Sequence, residues 1–269
     1  MNSEEVLRPR HFYVIMNHKG REIMHNFFVD ASARQKGRYF ISGSDYNHII
    51  NVLRMDIGDT FLVSADGKSD LCEIESFDGD TVIVRVLEQD YKSTELPLKI
   101  YLFQGLPKSD KMELIIQKAV ELGAFAVIPT EMKRCVVKLD DKKKKSKVIR
   151  WQAISESAAK QSKRNVIPEV FDVLSYKAAL QIASELDILI VPYENEDGML
   201  STVRALDKLK DCKSVGILIG PEGGFDDNEI KLAKEIGAEV VSLGKRILRT
   251  ETAAITAVSM CMLNAEMNF

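Results

Sequence analysis

The 269-residue chain has four cysteines, Cys72, Cys135, Cys212 and Cys261, and no two of them are close in sequence. Without a CxxC pair a zinc ribbon is excluded, and a disulfide framework is not expected. No histidine follows His48, because His11, His18, His25 and His48 all fall in the first 48 residues. Ser-His and Cys-His catalysis is therefore excluded from the C-terminal two-thirds unless the N-terminal part reaches in. The histidine spacing is not that of a zinc motif, so no metal site is expected. Long apolar runs are missing as well: Ile188 to Val191 and Val215 to Ile219 are far too short to span a bilayer. The first residues, Met1-Asn2-Ser3-Glu4-Glu5, are acidic and carry no apolar signal region. These absences lead to the expectation of a soluble, reduced, cytoplasmic protein with no membrane partner.

What is present is a composition that can build a core, with 45% hydrophobic and 29% charged residues. The length suits one large or two modest domains. The net charge of -3 argues against nucleic acid, but the average hides an asymmetry. Met1 to Lys92 holds 11 Lys+Arg against 15 Asp+Glu, whereas Lys133 to Arg164 holds 12 against 3. A segment that basic can attract phosphate locally, or it can be a solvated helix face with a lysine-rich loop at Lys142 to Lys145.

Residues 11–92 read as short strands: His11–Ile15, Gly37–Ile41, Thr60–Val63 and Thr81–Val86 are β-branched or aromatic. Asp66-Gly67 and Asp78-Gly79-Asp80 supply hairpin turns. A short helix after Ser44 has Ile49, Ile50 and Leu53 as its apolar face, and the strand spacing favours a small barrel. A polar linker at Glu88 to Pro97 separates residues 1–90 from 91–269. Beyond it strands and helices alternate, which implies an α/β domain with a mostly parallel sheet. Strands are expected at 98–103, 125–129, 187–191, 214–219 and 239–243. Helices are expected at 110–122, 143–163, 227–236 and 251–267. Asp110 with Glu113, and Asp226 with Glu229, have the spacing of capping boxes.

Two loops carry the chemistry. Strand 214–219 runs into Gly220-Pro221-Glu222-Gly223-Gly224-Phe225-Asp226-Asp227, where ligands of open α/β sheets bind. The loop lacks the Gly-Lys-Ser/Thr ending of a Walker motif and the G-x-G-x-x-G of a dinucleotide fold. Its carboxylates disfavour a phosphorylated cofactor and suit a neutral or cationic one; a tight turn with a helix cap is the plain alternative. The second loop, Ser242 to Ala254, again joins a strand to a helix, with Thr250 placed to cap it. Leu243, Ile247 and Leu248 would make a slot for an adenine-like ring. Arg249 and Glu251 bracket the helix start, either as functional groups or as a structural ion pair.

Ile219-Gly220-Pro221-Glu222-Gly223-Gly224-Phe225 followed by Leu243-Gly244-Lys245-Arg246-Ile247-Leu248-Arg249-Thr250-Glu251-Thr252-Ala253 closely resembles the signature of the RsmE family. Its members are bacterial ribosomal RNA uridine-N3 methyltransferases of the SPOUT class. Arg10-His11-Phe12, Val52-Leu53-Arg54, Lys111-Met112-Glu113, Gln117-Lys118-Ala119, Glu121-Leu122-Gly123, Arg150-Trp151 and Gln161-Ser162-Lys163-Arg164 match in order, so the likeness covers nearly the whole chain. A small departure is Ser109, where family members often carry glycine.

The resemblance implies a PUA-like β-barrel, then a SPOUT-type α/β domain with a C-terminal trefoil knot. It implies S-adenosyl-L-methionine as methyl donor, no metal, a homodimer, and 16S rRNA of the small ribosomal subunit as partner. Carried over, the donor would be held by Ile219, Gly220, Pro221, Gly223, Gly224, Leu243, Gly244, Ile247, Leu248 and Thr250, with Tyr193 as a third contributor. Arg249 would stabilise negative charge developing on the base. Glu222 or Glu251 would accept the N3 proton, although an ordinary carboxylate matches that task poorly. RNA would be captured by Arg8, Arg10, His11 and Arg54 on the first domain, with His48 also open to such a contact. On the second it would meet Lys108, Lys111, Lys133, Arg134, Arg150, Lys160 and Arg164. Trp151 reads as packing. Methylation of a 2′-hydroxyl, and a non-catalytic RNA-binding scaffold, are the competing readings.

Overall fold

The computed structural model describes residues 25–91, 93–193 and 198–268. Arg8, Arg10 and His11, and the strand expected at 11–15, lie outside them. The chain divides into two compact units, Met1–Lys92 and Ser93–Phe269.

In the first unit the strands are β1 (Asn26–Phe28), β2 (Arg34–Gln35), β3 (Arg38–Ser42), β4 (Thr60–Ala65), β5 (Lys68–Asp78) and β6 (Thr81–Glu88). They form one sheet in the order β1-β4-β5-β6-β3-β2. Asp66 and Gly67, with φ of 50° and 76°, are the two turn residues between β4 and β5, which register Ala65 opposite Lys68. That conformation is the type I′ turn whose twist suits a hairpin, and it explains Asp-Gly at this point. The expected short helix is a four-residue α-helix, α1 (Ser44–Asn47), that widens into a π-helical turn at His48–Leu53. Ile49 alone of its three apolar residues is fully buried, in a core with Phe27, Tyr39, Phe61, Ile74 and Val84.

The second unit is a seven-stranded, wholly parallel sheet with helices between its strands. Its strands are β7 (Lys99–Gly105), β8 (Ala126–Glu131), β9 (Glu169–Val170), β10 (Leu174–Ser175), β11 (Ile188–Pro192), β12 (Ser214–Ile219) and β13 (Glu239–Val241). The helices are α2 (Lys111–Glu121), α3 (Asp141–Gln161), α4 (Tyr176–Ala183), α5 (Leu200–Lys208), α6 (Asp227–Glu235) and α7 (Thr250–Asn268). The order is β10-β8-β7-β12-β11-β13, with β9 also on β8. The central strands are apolar along their length, as a sheet covered on both faces requires: Ile100, Leu102, Phe103, Ile190, Val215 and Ile217 are buried. β7 and β12 are neighbours, so the loops leaving their carboxyl ends start side by side.

Several expectations need correction. Asp110 makes no side-chain cap on α2: Ser109 takes a left-handed φ of 54°, and Glu113 turns away to pair with Arg150 at 2.8 Å. A left-handed backbone at Ser109 is one glycine adopts without strain. Thr250 does not cap α7, because its hydroxyl donates to Gly220 O at 2.7 Å instead. Arg164, expected on the RNA-facing surface, is instead buried. Only 3% exposed, it is ion-paired to Glu95 and donates to the carbonyls of Val120 (2.9 Å) and Ala124 (3.0 Å). Its guanidinium thereby ties the last turn of α2, at Val120, to Ala124 just beyond it. β5, α4 and α5 were not anticipated.

Candidate active site

The glycine loop is shaped from both sides. Gly220 and Phe225 lie against each other, and a Cβ on Gly220 would stand 3.3 Å from the Phe225 ring. Gly224 has φ of 67° and its N–H donates to Pro221 O at 2.9 Å, a tight turn that presents Glu222 and Gly223 outward. Gly105, at the end of β7, is where the neighbouring strand meets this turn: a Cβ there would fall 2.7 Å from Pro221 N. The loop after β8 holds the other side. Arg134 Nη1 donates to Gly223 O at 3.2 Å, and Lys133 Nζ pairs with Asp226 at 2.8 Å. The Lys133 N–H donates to Glu229 Oε1 at 2.8 Å. Asp226 and Glu229 close the expected capping box on α6. The bond to Lys133 keeps the Asp226 carboxyl below its ordinary range.

The second loop begins at buried Ser242, whose carbonyl accepts from Thr202 Oγ1 at 2.6 Å, so α5 anchors it. Gly244 has φ of 102° and its N–H donates to Ser242 Oγ at 3.2 Å. Leu243 and Leu248 are half-buried, whereas Ile247 is 88% exposed and does not line a closed slot within one chain. Arg249 is exposed and has no ion-pair partner among the described residues, so the Arg249–Glu251 structural pair is not formed.

The structure brings the two loops together. Thr250 Oγ1 bonds Gly220 O and also accepts from Gln104 Nε2 at 3.0 Å. Lys111 Nζ lies 3.1 Å from Glu222 Oε1 and 3.2 Å from Glu251 Oε2. Tyr193 joins as well: its N–H donates to Val241 O at 3.0 Å, and its ring stands edge-on to Phe225 at 6.3 Å. Glu222 accepts the Lys108 N–H at 3.0 Å. Partial burial alone would raise the Glu222 carboxyl. Backbone N–H groups, including that of Lys108, and the Lys111 ammonium outweigh it and hold the carboxyl below its usual range. Lys111 is raised by its bonds to Glu222 and Glu251. Gln104 is fully buried, and its Oε1 has no hydrogen-bond partner among the described residues.

Of the other basic residues, Lys108 and Arg134 border the glycine loop through Glu222 and Gly223. Lys108, Arg134 and Arg150 are exposed, although Arg150 is held by Glu113; Lys160 pairs with Glu156 at 2.8 Å. Lys111 is engaged by two carboxylates and is a bridge of the site rather than an open phosphate contact. Sequence reasoning missed that bridge, together with Gln104 and the anchor from Thr202. Trp151 is buried, as expected for packing. On the first unit Arg54 and His48 are exposed, and His48 meets the edge of Phe27 at 6.0 Å between centroids. Among the described residues no group of His, Cys, Asp and Glu is arranged to hold a metal ion.

The α/β unit that gathers these two loops is, by its family match, that of an RNA methyltransferase. Residues 94–262 match the family model of the RNA methyltransferase domain, and residues 41–87 that of the RNA methyltransferase PUA domain. The chain thus carries the expected PUA-like domain ahead of a mixed α/β methyltransferase domain. The chain is 41% identical over 251 residues to ribosomal RNA small subunit methyltransferase E of Bacillus subtilis, covering 91% of this chain and 98% of that protein. It is 31% identical to the protein of the same name in Mesomycoplasma hyopneumoniae, covering 89% of this chain and 99% of that one. Among solved structures it is similar to ribosomal RNA small subunit methyltransferase E from Neisseria gonorrhoeae bound to S-adenosyl methionine. There the TM-score is 0.74 at 31% identity, over 88% of this chain and 96% of that one. A putative methyltransferase from Legionella pneumophila with bound SAM gives 0.76 at 31% identity, over 90% and 98%. The chain belongs to the ribosomal RNA small subunit methyltransferase E (RsmE) family.

Proposed function

We propose that the protein methylates N3 of a uridine in 16S rRNA of the small ribosomal subunit, with S-adenosylmethionine as donor. The observation that carries this reading is the junction of the two loops at Thr250, Gly220 and Lys111. The donor set fits the donor molecule: the loops offer backbone at glycines, half-buried Leu243 and Leu248, and carboxylates beside a site with no phosphate cradle. A sulfonium cation suits such a field. When bound, S-adenosylmethionine supplies an electrophilic methyl group on positively charged sulfur.

Arg249, exposed just before α7 and without an ion-pair partner among the described residues, would stabilise negative charge on the base as N3 loses its proton. Glu222 and Glu251 are both engaged by Lys111, and Glu222 is held low. That makes Glu222 a poor proton acceptor, so in this reading it serves to shape the site. The RNA surface of the second unit would use Lys108, Arg134 and the exposed lysines 142, 143 and 145 of α3. The first unit would add Arg54 and contacts from residues 1–24, which makes residues 1–90 the RNA-capturing domain and 91–269 the catalytic one.

No helix among the described residues is long and apolar enough to cross a membrane, and a cytoplasmic enzyme working on assembled subunits fits that. Ile247, Leu263 and Met267 are exposed apolar residues in the second loop and on α7, and a second copy of the chain would cover them. A knotted C-terminus is part of the same reading, supported by Thr250, the first residue of α7, bonding both Gln104 of β7 and Gly220 just past β12. Labelled-methyl transfer to small subunits from a strain lacking the gene, followed by nucleoside analysis, tests the function. 3-Methyluridine is expected; a 2′-O-methylated nucleoside, or no transfer, contradicts it.

A further inference from the structure

Lys111 is the first residue of α2, on the element that follows β7, yet its amine sits between carboxylates from two other parts of the chain. Glu222 belongs to the glycine loop after β12, and Glu251 to the first turn of α7 directly after the second loop. Both are within 3.2 Å of the same nitrogen, so without the ammonium two negative groups would face one another across the donor site. The side chains of Lys111, Glu222 and Glu251 are 27%, 24% and 14% exposed, so the contact is partly shielded from water and salt. The preceding turn adds a second hold, since the Lys108 N–H bonds the same Glu222 oxygen.

We infer that Lys111 is a positioning residue that latches the glycine loop to the second loop and so sets the geometry of the donor site. The inference rests on the donor assignment above. It changes the role of a residue whose sequence position suggests RNA capture. An ammonium committed to two carboxylates has little left to offer a phosphate. Removing it is expected to open the donor site without changing how strongly RNA binding responds to salt. Its action runs through the two carboxylates, so neutralising one of them in its absence should undo part of the damage.

Calorimetric titration of the full chain with S-adenosylhomocysteine reads this directly. Lys111→Met is expected to weaken binding at least tenfold, and Lys111→Arg to stay within about threefold of the original chain. Lys111→Met/Glu222→Gln should recover most of the loss, because the facing carboxylates no longer repel; a purely structural lysine would show no such recovery. The salt dependence of small-subunit binding should be unchanged in Lys111→Met. Unaltered ligand binding by Lys111→Met, or a double variant as weak as the single one, would overturn the latch. If Lys111→Met does not fold, Glu222→Gln and Glu251→Gln carry the test: each should weaken binding threefold or more, and normal binding by both overturns it. No binding by the original chain would instead overturn the donor assignment, and the latch with it.

Discussion

Arg249 and Arg164 show how differently one residue type is used in this chain. Arg249 is exposed in the second loop with no ion-pair partner among the described residues, whereas Arg164 is buried and bonded to Glu95, Val120 and Ala124. The account predicts that Arg249→Ala binds S-adenosylhomocysteine within about threefold of the original chain while losing roughly 10²–10³ in kcat, as expected when a group acts mainly on transition-state charge. Titration and single-turnover methylation separate the two effects. Arg164→Ala should leave the salt dependence of RNA binding untouched and destabilise the fold by about 3–5 kcal/mol, since Glu95 would keep its charge without a counter-ion. Denaturant unfolding measures that loss. From sequence, Arg164 is indistinguishable from its basic neighbours, because Lys163-Arg164 ends a run of positive charge. What separates them is the meeting with Glu95, 69 residues away.

At the scale of elements, local grammar was readable where the interaction is local. Asp226 and Glu229 form their capping box three residues apart, and the Asp66-Gly67 turn takes the backbone its residues favour. The same grammar misled at Asp110 and Glu113, where Arg150 on α3 competes for the carboxylate. It misled again at Thr250, whose hydroxyl is taken by Gly220 O. β5 escaped notice because Asp70, Glu73, Glu75 and Asp78 interrupt its apolar pattern, although Asp70 is buried and satisfied by Tyr39 and the Asp90 N–H. Asp226→Ala should cost about 1–2 kcal/mol in thermal or denaturant unfolding, since a working cap is lost. Asp110→Ala, with no cap to lose, should stay within about 0.5 kcal/mol.

Over the whole molecule, the alternation of strands and helices announced the parallel sheet and the two C-terminal strand-to-helix loops after β12 and β13. Their closure onto one another was not legible. It depends on Lys111 meeting Glu222 and Glu251, and on Gln104 meeting Thr250 146 residues later. Contacts of that separation leave no periodic trace in the chain. Charge at this scale gives a further prediction. Replacing Lys142, Lys143 and Lys145 with glutamine should lower the salt slope of RNA binding by roughly 0.7–0.9 for each lysine that meets a phosphate, as filter binding across a salt series would show. A slope unchanged in that triple variant would remove the α3 patch from the interface.

The central claim is that two strand-to-helix loops, joined through Thr250 and Lys111, hold the methyl donor. Backbone amide NMR on the full chain during titration with S-adenosylhomocysteine tests it most directly. The account predicts saturable shifts concentrated at Gly220, Gly223, Gly224, Leu243, Gly244 and Leu248. Shifts that leave these amides unmoved and gather elsewhere on the protein would contradict it.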